Sequence, residues 1–202
     1  MAVCGANVKA GPAVSKLAWA GMLFLVVGPS GAGKDTLLGL AREALAGDPR
    51  VRFVRRVITR PADLGDEGHE AVDRPEFERR RDAGGFAIWW AAHGLLYGIP
   101  VDIEEDLRRG LIVVASVSRA VLKDAVSVYS GRVLEVSASS DALAERLLAR
   151  GRESAGDIAR RLAREVPLDP GLDVIRILND GTPEQGAVRM IAALRSGPGS
   201  SV

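Results

Sequence analysis

A short apolar run, Met22-Leu23-Phe24-Leu25-Val26-Val27, leads directly into Gly28-Pro29-Ser30-Gly31-Ala32-Gly33-Lys34-Asp35-Thr36, and a helix-like segment over 37–46 follows. No other stretch restricts the fold as tightly, because strand, glycine-rich turn and helix must stand in this order for the turn to hold a phosphate. Glycines let the backbone wrap an anion without Cβ clashes. The exposed N–H groups and the helix N-terminus attract it. Lys34 is placed to reach the β- and γ-phosphates of a nucleoside triphosphate. The residue after the lysine is ordinarily a Ser or Thr whose hydroxyl meets Mg²⁺. Here it is Asp35, with Thr36 one place later.

Beyond the loop, apolar runs alternate with helical patterns. Strands are expected over 22–27, 51–58, 111–116, 133–137 and 174–178, and helices over 34–46, 74–83, 103–109, 140–150, 157–164 and 183–194. Short, near-continuous apolar strands suit a parallel sheet buried on both faces. The expected fold is α/β, a P-loop NTPase three-layer αβα sandwich on a parallel five-stranded central sheet, with ligands at the carboxyl ends of the strands. Two segments break the alternation. Residues 60–100 hold Gly, Pro, charges and the aromatics Trp89, Trp90 and Tyr97, and read as an inserted acceptor-binding region. Residues 149–164 carry Arg150, Arg152, Arg160, Arg161 and Arg164 and read as a lid. Trp89 and Trp90 are read as core rather than as a ligand platform.

Composition limits the alternatives. The 202 residues are 47% hydrophobic and 26% charged, which fits one globular domain over 22–195. The formal net charge of +1 argues against a general nucleic-acid binder. The lone Cys4 excludes an internal disulfide and a cysteine metal cluster. No run suits a membrane span, and a cytoplasmic protein is expected. Residues 1–21 read as a disordered extension and 196–202 as a flexible tail.

Taken together, Gly-Pro-Ser-Gly-Ala-Gly-Lys at 28–34, Ile-Thr-Arg-Pro at 58–61, His-Gly-Leu-Leu-Tyr-Gly at 93–98, Arg150-Gly151-Arg152 and Leu178-Asn179-Asp180 resemble the guanylate kinase family over roughly 22–194. The chain departs from that family where guanine is held. Gly85-Phe86-Ala87-Ile88-Trp89-Trp90 lacks the acidic residue, Ile99-Pro100 replaces Thr or Ser after Tyr-Gly, and Ala115-Ser116-Val117-Ser118-Arg119 replaces Asp-x-Asp. A hydrogen-bonding site with mismatched partners discriminates by about 10⁴ or more, so guanine should be rejected. The departures match a narrower group. Gly-Lys-Asp in the loop, Gly65-Asp66-Glu67-Gly68-His69, Ser118-Arg119-Ala120 and Arg150-Gly151-Arg152-Glu153 are similar to the ribose 1,5-bisphosphate phosphokinase family. That resemblance implies transfer from ATP to ribose 1,5-bisphosphate, giving phosphoribosyl diphosphate (PRPP) in phosphonate breakdown.

The resemblance also implies site residues. Gly28, Pro29, Ser30, Gly31, Ala32, Gly33, Lys34, Asp35 and Thr36 would hold ATP, with Asn179 bordering the adenine. Lys34, Arg150 and Arg152 would act on the transferring group, the two arginines from the lid. Arg60, His69, Tyr97, Arg119 and Glu67 would hold the acceptor, while His93 reads as structural. Asp35 and Thr36 would stand beside Mg²⁺, or Asp35 serves only the helix dipole. Arginine's planar fork suits phosphate oxygens. A phosphate's second pKa of about 6 leaves the acceptor already anionic, so no general base is needed. A nucleoside monophosphate kinase with altered base choice is the second reading. A partner-binding module without activity is the third, and it conflicts with the intact glycines and lysine. The partners implied are ATP and the sugar bisphosphate, with no nucleic acid and no membrane. The oligomeric state is left open, a homodimer included.

Overall fold

The structure is a computed structural model and describes residues 6–8, 19–60, 68–149 and 168–196. In chain order the elements are β1 (Ala6–Val8), β2 (Met22–Val27), α1 (Lys34–Ala44), β3 (Val51–Phe53), β4 (Arg56–Ile58), β5 (His69–Ala71), α2 (Arg74–Asp82), β6 (Phe86–Ala92), β7 (Leu95–Pro100), α3 (Ile103–Arg108), β8 (Ile112–Ser116), a 3₁₀ turn (Arg119–Val121), α4 (Leu122–Val128), β9 (Gly131–Ser137), α5 (Ser140–Ala149), β10 (Val174–Leu178) and α6 (Pro183–Arg195). The α/β class and the five-stranded parallel sheet are both present, with strand order β10-β9-β2-β8-β3. All six residues of β2 are buried, as the apolar run requires of an inner strand.

A second five-stranded sheet, ordered β1-β6-β7-β4-β5, was not foreseen as strands. It corrects the reading of 51–58 as one strand. Val51–Phe53 pairs in parallel with β8, whereas Arg56–Ile58 pairs with β5 and β7. The changeover lies at Val54 and Arg55: Val54 N–H still donates to Val114 O (2.9 Å), and Arg55 then turns outward. The charged pair Arg55-Arg56 inside an apolar run was the local sign of that break.

By compactness the chain divides into Met1–Leu25 with Asp48–Arg132, and Val26–Gly47 with Val133–Val202. The first unit has a core beneath the second sheet, where Val57, Phe77, Phe86 and Leu96 are buried together and the Phe77 and Phe86 rings stack at 4.5 Å. Trp90 is core, as expected, while Trp89 is half-buried against this cluster with the Arg81 guanidinium 5.4 Å from its ring. Asp73 caps α2 by accepting from Glu76 N–H at 2.8 Å.

The extension expected to be loose over 1–21 is corrected where it is described. Ala6–Val8 pairs antiparallel with β6, which supplies partners to backbone groups of an edge strand. Trp19 is buried, donates Nε1–H to Val128 O at 3.0 Å, and lies 5.3 Å from the Tyr129 ring. Tyr129 is itself fully buried, with its hydroxyl 3.1 Å from Glu104 Oε1. Burial, reinforced by the Glu104 carboxylate, pushes that hydroxyl well above the usual tyrosine range. Small residues dominate the segment's composition and masked its one large anchor.

In the second unit α1 packs against α6. Gly186 permits the approach, since a Cβ there would stand 2.7 Å from Leu37 Cδ2 and 2.7 Å from Asn179 Oδ1. Thr182 starts α6 with a reciprocal capping box to Gln185.

Candidate active site

The phosphate loop lies wholly in the second unit. Gly31 and Gly33 have φ of 92° and 83°, a region that favours glycine, and Gly33 immediately precedes α1. Gly28 has a different reason to be glycine: a Cβ would stand 2.3 Å from the Val136 carbonyl oxygen of β9. No side chain caps α1, so amides of its first turn remain open to a ligand. Pro29, Ser30, Gly31, Gly33, Lys34, Asp35 and Thr36 line a cavity of about 220 Å³. That is smaller than the few hundred cubic ångströms of a drug-sized ligand site and suits a phosphate chain. Lys34 Nζ stands 3.8 Å from Asp35, whose side chain is 71% exposed. Thr36 is exposed beside it.

Asn179 lies against the loop from the end of β10. It is 4% exposed, donates Nδ2–H to Ala32 O at 2.8 Å, and accepts no hydrogen bond at Oδ1. Its own N–H donates to Ser137 O at 2.8 Å. Asn179 thus ties the end of β10 to the end of β9 and to the crest of the loop.

The acceptor candidates belong to the first unit and gather on its sheet. Tyr97 of β7 is opposite Trp90 of β6 and Ile58 of β4. Its ring stacks on Trp90 at 5.2 Å and 5°, and its hydroxyl has no partner among the described residues. His69 of β5 is buried and opposite Arg56 of β4. Directly paired residues share a sheet face and alternate residues return to it. Arg56, Ile58, His69, Ala71 and Tyr97 therefore share the face opposite to Val57, Phe77 and Phe86. Gly98 turns to the core face, where a Cβ would stand 2.6 Å from the Phe86 ring. His93 is exposed and has φ of 52° beside Gly94 at 76°, in the two-residue hairpin joining β6 to β7. The His-Gly-Leu-Leu-Tyr-Gly signature is thus turn chemistry at one end and, at the other, Tyr97 on one sheet face with Gly98 on the core face.

Thr59 Oγ1 accepts from Leu96 N–H at 2.8 Å and closes the β4–β7 ladder, so that Arg60 emerges just beyond it. Arg60 makes no side-chain hydrogen bond or ion pair among the described residues, and it lines a cavity of about 420 Å³ with Thr59, Ala71, Val72, Asp73, Arg74 and Gly94. Arg119 is half-buried at the start of the 3₁₀ turn, where Ser118 Oγ accepts from Ala120 N–H at 3.3 Å. Glu67, Arg150 and Arg152 lie outside the described residues, as does the lid apart from Ala149. The sequence reading missed Arg56, whose Nη1 donates to Ser116 Oγ at 3.1 Å.

The parallel sheet and its phosphate loop define a P-loop protein of the guanylate kinase fold. A solved guanylate kinase from Anaplasma phagocytophilum superposes with a TM-score of 0.65 at 18% identity, over 88% of this chain and 86% of its own. No protein-family model matches the chain. Curated relatives are much nearer in sequence. Ribose 1,5-bisphosphate phosphokinase PhnN of Brucella melitensis is 50% identical over 163 residues, covering 80% of this chain and 85% of its own. The proteins of that name from Methylobacterium radiotolerans and Agrobacterium fabrum are 48% and 44% identical, covering 87% and 89% of this chain and 98% and 99% of their own. The chain belongs to the ribose 1,5-bisphosphate phosphokinase family, and it is a kinase.

Proposed function

We propose that this kinase transfers the γ-phosphoryl group of ATP to the 1-phosphate of ribose 1,5-bisphosphate, yielding ADP and PRPP, the role sequence resemblance places in phosphonate breakdown. Apart from family membership, the observation that carries this reading is the chemistry of the acceptor face. It presents Arg56, His69 and the Tyr97 hydroxyl, while the nearest carboxylate on β5, Glu70, shares the opposite face with Val57 and pairs with Arg80 at 2.7 Å. Cations and a hydroxyl, with no carboxylate from β4, β5 or β7 on their face, suit a phosphate-bearing acceptor better than guanine.

An acceptor phosphate oxygen attacks the γ-phosphorus as the bond to the bridging oxygen of ADP breaks. Total charge balances without a proton transfer, so positioning and charge neutralisation do the catalytic work. The loop amides and Lys34 hold the donor phosphates, and Lys34 stabilises the charge that moves onto the leaving oxygen. Asn179 keeps the loop crest in place. Arg60, Tyr97 and Arg119 hold the acceptor, with His69 supporting the same face and Glu67 facing the ribose hydroxyls. Arg150 and Arg152 close over the donor and exclude water.

The Asp35 carboxylate and the Thr36 hydroxyl are hard oxygen donors at the rim of the loop, and they fit Mg²⁺, which prefers oxygen and takes few protein ligands beside substrate phosphates. When bound, the ion neutralises charge on the donor phosphates. No cluster of three or more His, Cys, Asp or Glu side chains suited to a metal occurs among the described residues. Asp35→Asn should raise half-saturating Mg²⁺ several-fold with the melting temperature little changed. An unchanged Mg²⁺ requirement would leave Asp35 with the helix dipole alone.

No helix among the described residues is long and apolar enough to cross a membrane. A cytoplasmic setting, where ATP is supplied, is part of the proposal. The deciding measurement is ADP release with ribose 1,5-bisphosphate, ribose 1-phosphate and GMP offered separately. The bisphosphate should exceed GMP by at least about 10³-fold in kcat/KM. Equal turnover of GMP would establish the nucleoside monophosphate kinase reading instead.

A further inference from the structure

We infer that Arg56, steadied by Ser116, is the specificity residue for the second phosphate of the acceptor, the one that does not react. This rests on the sugar-bisphosphate reading above and assigns the part of the site that distinguishes a bisphosphate from a monophosphate.

Arg56 is half-buried, and among the described residues its guanidinium meets one hydroxyl, Ser116 Oγ, and no carboxylate. Arg52 of the same stretch does have carboxylate partners, Asp102 and Asp106, and Arg55 Nη2 donates to the His69 carbonyl oxygen at 3.0 Å. A partly desolvated cation with no counter-ion among the described residues is costly unless an anion completes it. Five N–H donors in a rigid fork, with one hydrogen bond among the described residues, leave capacity for a bidentate phosphate contact.

Register places this group at one end of a ligand-sized strip. Arg56 is paired with His69, and two residues further along β4 the apolar Ile58 is paired with Ala71 and with Tyr97. Arg60 leaves the same strand two residues beyond that. The four steps from Arg56 to Arg60 would span about 13 Å if fully extended, and the turn at Thr59, where Arg60 N–H donates to Ile58 O at 2.9 Å, shortens that span. Two long cationic side chains at the ends of that span can converge on phosphates at either end of a ribose. Ile58 and Ala71 form a low apolar floor between them, beneath the sugar ring. Arg60 and the Tyr97 hydroxyl then take the reacting phosphate, and Arg56 takes the other. Ser116, at the carboxyl end of β8, fixes the rotamer of Arg56 without neutralising its charge, as an aspartate there would.

The test compares wild type, Arg56→Met and Arg56→Lys by ADP release with ribose 1,5-bisphosphate and with ribose 1-phosphate, with ATP affinity by calorimetry as the control for folding. Wild type should prefer the bisphosphate strongly. Arg56→Met should raise its KM by about 10–100-fold and lower the preference over ribose 1-phosphate at least tenfold, with ATP affinity within about twofold of wild type. Arg56→Lys should retain an intermediate preference, since it keeps the charge and loses the fork. A Met variant that binds ATP and keeps the wild-type preference overturns the assignment. If neither Arg56 variant binds ATP, Ser116→Ala decides: a preference reduced about threefold supports the assignment, and an unchanged one overturns it. Wild type that fails to use the bisphosphate refutes the substrate reading alone. Binding of ribose 5-phosphate to wild type and Arg56→Met then judges Arg56, and equal affinity overturns its role.

Discussion

Lys34→Met lowers kcat by about 10²–10³-fold with the acceptor saturating, as expected when one preorganised donor to a transferring group is removed. Lys34 begins α1, immediately after the left-handed Gly33, so its position follows from the turn. Its side chain is 18% exposed and lies 3.8 Å from Asp35, close enough for the two to share a phosphate and its ion. Methionine keeps most of the stem packing and removes only the charge. The melting temperature should therefore stay within about 2 °C, the shift expected for less than 1 kcal/mol in a chain of this size. The separation of a large kcat loss from a small stability change is the diagnostic result. A kcat reduced less than tenfold would show that Lys34 does not act on the transferring group.

Gly28→Ala has a comparably large effect by a different route. The added Cβ would stand 2.3 Å from Val136 O, and it meets backbone rather than the end of a flexible side chain. Either β9 or the loop must move. Overpacking of this kind costs about 1–3 kcal/mol, which lowers the melting temperature by roughly 2–12 °C at this chain length. Displacing the loop by about 1 Å also lowers kcat/KM for ATP by about 10²-fold. Thermal unfolding and initial rates at varied ATP measure the two effects separately. Wild-type values for both would mean that the loop has room the packing denies.

Much of the parallel sheet was legible. Strand β2 and strand β10 begin and end where their apolar runs do, and α6 lies within one residue of its expected end. These elements are written in contiguous residues, so periodicity finds them. The second sheet was not legible, because its strands are three to seven residues long and carry mixed polarity. What makes them strands is pairing with partners distant in sequence, which no local window contains. The run 51–58 shows the limit clearly: its composition is that of a strand throughout, yet its two ends serve different sheets. Asn179 shows the same limit within the site. Its motif gave no sign that its amide reaches Ala32 across 147 positions of chain.

The sequence alone determined the donor half of this protein. Left-handed glycines, a lysine at the first turn of a helix and the buried strand before them are all properties of adjacent residues, and together they require a phosphate loop. Only the tertiary structure decided the face proposed for the acceptor. Arg56, His69 and Tyr97 come from three strands, and strand register, set by nonlocal hydrogen bonds, places them on one side of a sheet while Val57, Glu70 and Gly98 take the other. A one-residue slip would exchange the two sets. That is why the residue we assign to the second phosphate was invisible in the chain and evident in the fold.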